Sequence, residues 1–237
     1  MKHGLSAALI SLVIVLAGFV LAQDADVVAG KRQFRSREDS GSATGMTCWH
    51  CHADFNEKKT PDQYVRPGHP MFNVGFRAKY QAWDGSGLSS LEMAVKTCLE
   101  RWMTERRAGS LTGEEAPRHR IRQFAAYLRS EELSPERKSK AAEPMRAEAL
   151  PSDRMLTLGD PALGSTVFRR SCVICHINDG SGPAPSLIKN GYSRYQIGKK
   201  IRGIKNTGLR GIAMPPFTKG RLSDREMLNV IAYVYQM

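Results

Sequence analysis

Cys48-Trp49-His50-Cys51-His52 and Cys172-Val173-Ile174-Cys175-His176 decide the reading of this chain. In each, two cysteines are separated by two residues and followed at once by histidine. Two thiols about one helical turn apart are placed to add across the two vinyl groups of one haem, and the adjoining imidazole then falls on the iron. Paired cysteines with a histidine also serve zinc. Two occurrences, each ending in His and each inside a domain-sized segment, favour two covalently bound haem c groups and use four of the five cysteines.

The flanks of the two motifs repeat in architecture. Gly30 and Phe34 stand four apart before the first, Gly164 and Phe168 four apart before the second, so each pair shares one helical face. After each motif the chain runs through a Gly/Pro-rich loop and ends in an amphipathic helix. In the first half Thr112-Gly113-Glu114-Glu115 has the form of a capping box ahead of an apolar stripe at Ile121, Phe124, Ala125 and Leu128. In the second, Ser223-Asp224-Arg225-Glu226 precedes Met227, Val230, Ile231 and Val234. The expected fold is all-α: two tandem helical domains, 23–133 and 158–237, each around one covalent haem. The connector is 134–157, whose stretch Ser134 to Pro151 is rich in Lys, Arg, Glu, Ala and Pro and lacks a sustained apolar face; a short surface helix around Glu136 to Ala142 is the alternative there.

At 237 residues, 41% hydrophobic and 24% charged, the composition is that of a globular protein long enough for two compact domains rather than a disordered or fibrous chain. Lys2 precedes an apolar run from Leu5 to Leu21, and Val20-Leu21-Ala22 offers a small-residue cleavage site, which makes 1–22 an export signal or, if uncleaved, a membrane anchor. Either way the remainder is expected in the periplasm. The formal charge of +12 then points to an acidic redox protein or a small anion rather than to nucleic acid. Membrane association is expected only through an uncleaved segment 1–22.

Over Leu158 to Met237 the chain resembles a class I cytochrome c. The residues that carry the resemblance are Gly164 and Phe168, the motif ending in His176, the segment Met214-Pro215-Pro216-Phe217, and Tyr233 in the closing helix. The resemblance implies His176 as proximal and Met214 as distal iron ligand. A thioether is a soft ligand that raises haem potential, and two prolines would hold its loop stiffly. The first half has no Met-Pro counterpart. His52 is its proximal candidate, and the distal candidates are Cys98, Met103, His69 and Met71. Cys98 and Met103 lie at separations from His52 nearer to that between His176 and Met214, whereas His69 and Met71 fall much closer to it. Cys98 also sits on an expected helix, with Ser89-Ser90-Leu91-Glu92 as capping box and Leu91, Ala94, Val95 and Trp102 on its apolar face. A lone thiol in an oxidising compartment must be shielded or used.

The segment Leu91 to Met103, with the domain order and the first motif, resembles a narrower family, the dihaem thiosulfate dehydrogenases and Sox-type cytochromes of sulfur oxidation. Cys98 and Arg101 match its Cys-x-x-Arg pattern, and Trp102 and Thr104 depart from the small polar residues found at those positions there. The resemblance implies Cys98 on the first iron and oxidation of thiosulfate to tetrathionate at that haem. Cys98 would carry sulfur, and Arg101, with Arg106 or Arg107, would stabilise anionic charge. Electrons would pass to the second haem. The competing function is a non-catalytic dihaem carrier or cytochrome subunit, relaying electrons from a periplasmic dehydrogenase to a terminal oxidase or reductase. An enzyme needs a positively charged channel to the first iron, and a carrier needs only haem edges near the surface.

Overall fold

The computed structural model describes residues 24–82, 86–104, 115–138, 148–204 and 214–237. The apolar segment 1–22, Arg106, Arg107 and most of the box at Thr112–Glu115 lie outside them. The architecture is helical, as expected: α1 (24–35), α2 (Arg37–Ser40), α3 (Cys48–Cys51), α4 (Leu91–Trp102), α5 (Arg118–Arg129), α6 (Pro161–Ser171), α7 (Arg194–Ile201) and α8 (Asp224–Gln236). A 3-10 turn at Met155–Thr157 precedes α6. The described residues add a short antiparallel pair, β1 (Tyr80–Gln81) and β2 (Gly87–Leu88), with Tyr80 opposite Leu88. Among the described residues no helix is long and apolar enough to cross a membrane.

Local chemistry sets the helix starts. Asp160 caps α6 by accepting from the amides of Ala162 and Leu163, with Pro161 in the first turn where its missing N–H costs nothing. The expected box at Ser223 and Glu226 caps α8 in both directions. The expected box on α4 is corrected: Ser90, not Ser89, is the cap and accepts from Met93 N. Glu92 instead pairs with Arg129, tying the start of α4 to the end of α5. α5 begins at Arg118 behind Pro117, without a side-chain cap, and buries its expected stripe of Ile121, Phe124, Ala125 and Leu128.

Two helix crossings repeat one design. At Gly30 an added Cβ would lie 2.1 Å from the carbonyl oxygen of Gln123 on α5, and at Gly164 it would lie 2.0 Å from that of Asn229 on α8. Backbone approaches this close leave room only for hydrogen. Beside each glycine an aromatic pair closes the crossing: Phe34 with Tyr127 at 5.8 Å and Phe168 with Tyr233 at 5.3 Å between ring centroids. Each crossing sits in its own buried apolar cluster, one built from α1, α4 and α5, the other from α6, α7 and α8.

The connector is tied down at both ends. Ser134 is buried, donating to Leu128 O and accepting from Gly75 N, and Leu156 lies inside the second cluster with Leu150 against it. Residues 136–138 are not helical, and 139–147 fall outside the described residues. The two halves also bond to each other directly. Arg221 makes a two-point ion pair with Glu57 (2.7 and 3.0 Å) and donates to Arg66 O, and Val65 N donates to Arg170 O.

Candidate functional site

Each Cys-x-x-Cys-His stretch folds into a single turn. His52 N donates to Cys48 O and His176 N to Cys172 O, both at 2.8 Å, so each histidine leaves its turn in the same direction relative to its cysteines. The loops beyond the two turns match as well. The Cys51 carbonyl accepts from Gly68 N and the Cys175 carbonyl from Ala184 N, bringing the returning loop behind the motif. That loop then supplies a carbonyl to the imidazole: His69 O lies 2.7 Å from His52 Nδ1, and Pro185 O lies 2.8 Å from His176 Nδ1. A carbonyl only accepts, so Nδ1 carries the proton in both rings and Nε2 keeps its lone pair for a metal. Gly68 is required here, because a Cβ would sit 2.4 Å from the His52 ring.

Cys48, Cys51 and His52 line an apolar cleft, joined by Cys98, Trp102 and Met103 from α4 and its C-cap, and by Pro215 and Pro216 from the second half. Cys98 points there because Leu91, Val95, Leu99 and Trp102 turn the apolar face of α4 inward. Both Cys98 and Met103 therefore reach the cleft. His69 serves His52 from behind through its carbonyl, and Met71 is held at Ala53 O by its amide; neither lines the cleft. Arg101 is buried with its guanidinium 5.0 Å from the centre of the Trp102 ring, and it too is absent from the cleft walls. Among the described residues, the walls include no Lys or Arg. In the second half Met214 is half-buried against the cluster that holds Phe168 and Cys172.

Burial sets the electrostatics of these groups. It lowers His52 to about 4 and lowers His176, and it raises Cys98 to about 11, Cys172 and Cys175 to about 12, and Cys48 and Cys51 well above the ordinary thiol value. The imidazoles are thus neutral donors, as iron ligation requires. All five cysteines are described, and none is paired in a disulfide. Among the described residues no three His, Cys, Asp or Glu side chains converge as a bare metal ion such as zinc would need. Neutral thiols and an imidazole spread along an apolar cleft fit a haem held by thioethers.

Sequence reasoning passed over two residues that shape this site. Arg66 is fully buried: its Nε donates to Trp49 O at 2.9 Å, its terminal nitrogens clasp Asp62 at 3.1 and 2.7 Å, and its guanidinium lies 4.6 Å from the Trp49 ring centre. It braces the first motif from outside. Thr47 N donates to His50 Nδ1 at 2.9 Å, fixing the start of the same turn. The Asp62 to Arg66 spacing was the only local signal for the first of these.

Residues 159–234 match the family described as cytochrome c oxidase, cbb3-type, subunit III. The chain is 31% identical over 81 residues to cytochrome c6 of Bryopsis maxima, covering 92% of that protein and 33% of this chain. It is 29% identical over 126 residues, 48% of this chain, to the cytochrome c subunit of the quinone alcohol dehydrogenase of Gluconobacter oxydans. That match spans only 25% of the Gluconobacter subunit's length.

Proposed function

The chain belongs to the cytochrome c family and is an electron carrier with covalent haem c, and we propose that it carries two haems and relays electrons between them in the periplasm. The observation behind this reading is the duplication of the site: both halves present two thiols, the following imidazole, and a carbonyl on its Nδ1. Cys48 and Cys51 attach the first haem with His52 as proximal ligand, and Cys172 and Cys175 attach the second with His176. Cys98 would also hold the first iron, and Met214 the second. When bound, the haems supply one-electron oxidation and reduction. A Cys98 thiolate ligand would lower the potential in the first half and a Met214 thioether would raise it in the second, a difference that would favour electron flow from the first half to the second. The likeness to a dehydrogenase's cytochrome subunit supports a periplasmic dehydrogenase as donor, and the +12 charge supports an acidic cytochrome or oxidase as acceptor.

Oxidation of thiosulfate at the first haem is a second reading, favoured by the Cys98 thiol in the cleft. The described cleft walls, which lack Lys and Arg, favour the carrier instead, since a dianion entering an apolar cleft needs cationic partners. Holoprotein mixed with thiosulfate and an artificial acceptor decides between them. The carrier leaves the acceptor oxidised. Thiosulfate-dependent reduction that Cys98→Met abolishes would establish the enzyme and displace the carrier.

A further inference from the structure

Pro215 and Pro216 come directly after Met214 in the second half, yet both line the cleft that holds Cys48, Cys51, His52 and Cys98 of the first. They are fixed in place from several sides. Proline locks its own φ and offers no N–H to rearrange. Phe217 N donates to Ile201 O at 2.7 Å, and the fully buried Arg202 donates to Phe217 O and Leu222 O at 2.9 and 2.8 Å and to Asp224 at 2.8 Å. Gly203, at φ +68°, lies against Pro216; a Cβ there would stand 2.6 Å from the proline ring. Downstream, Arg221 is held by Glu57 and Arg66 O of the first half. The segment 215–221 is therefore anchored in the second half by Arg202 at Phe217 and in the first by Arg221, with the two prolines at its start.

From this arrangement we infer that Pro215 and Pro216 are positioning residues for the first haem: the loop that carries the distal methionine of one site is the outer wall of the other, and it bars external ligands from the first iron. The inference rests on the two-haem reading. Its physical basis is steric. Two rigid rings line an apolar cleft, and shifting them strains the bonds on either side of the adjoining Phe217, whose amide donates to Ile201 O and whose carbonyl accepts from the buried Arg202. Ligation in the second half and access in the first are coupled through one stretch of backbone.

The test uses oxidised holoprotein and imidazole as probe, with absorbance followed in time. Imidazole at the second haem displaces the proposed methionine and removes its far-red sulfur-to-iron band, whereas imidazole at the first haem changes the spectrum while leaving that band. In the double variant Pro215→Ala, Pro216→Ala, band-retaining imidazole binding should become several-fold faster than in the parent. Glu57→Gln releases Arg221 without touching the cleft, and should accelerate the same phase to a lesser degree. Unchanged rates in both variants, with both haems present, would overturn the wall. A denatured chain retaining one haem would instead overturn the two-haem reading beneath it.

Discussion

Each histidine that closes a Cys-x-x-Cys-His turn has its Nδ1 proton taken by a backbone carbonyl, and so presents only Nε2 to a metal. That carbonyl comes from His69 in one half and Pro185 in the other, residues with unlike side chains, because the backbone makes the contact. Thiol spacing and the adjoining imidazole were legible because covalent chemistry dictates them and they stand in the sequence in order. The carbonyl, the brace from Arg66 to Trp49 O and the two prolines in the far cleft depend on chain return, which leaves no local pattern. Arg101, whose anion-stabilising role the family resemblance implies, is buried with its guanidinium over the Trp102 ring. Met214 carries the residue-scale prediction. Replacing it with Ala removes the proposed soft ligand, which would favour reduced iron, so the far-red band should vanish and one haem's potential should fall by on the order of 100 mV. A redox titration with an unchanged spectrum would take Met214 off the iron.

Among the helices, the starts show which local rules decide. The box on α8 was legible because Glu226 serves both partners, one carboxylate oxygen accepting from Ser223 N while the other pairs with Arg170. On α4 the same pattern misled by one residue, since Ser90 is the cap and Met93 rather than Glu92 then stands at the third helical position, while Glu92 pairs with Arg129 of α5. The Gly-x-x-x-Phe pairs were legible as one-face pairs, whereas their purpose, close crossing over α5 and α8, needed the fold. Gly30→Ala and Gly164→Ala should each force their crossing apart and destabilise the protein by about 1–3 kcal/mol, the cost of overpacking a fitted core. Thermal melting of each variant checks this. A melting temperature equal to the parent's would mean that the helices separate at no cost.

Over the molecule as a whole, the two halves are joined by Arg221 with Glu57, by Val65 with Arg170, and by the prolines in the first cleft. None of these contacts was legible, because each joins residues far apart in sequence. Even the connector is less independent than its composition suggested, with Ser134 buried at one end and Leu156 at the other. Everything proposed for electron transfer depends on this molecule carrying two haems, and the mass of the denatured holoprotein measures that number. Thioether bonds survive denaturation, so the parent should weigh the polypeptide plus two haems. Cys51→Ser should lose one of the two thioethers of the first haem and leave the second haem untouched. A parent mass equal to the chain plus one haem, or to the bare chain, would contradict the two-haem reading.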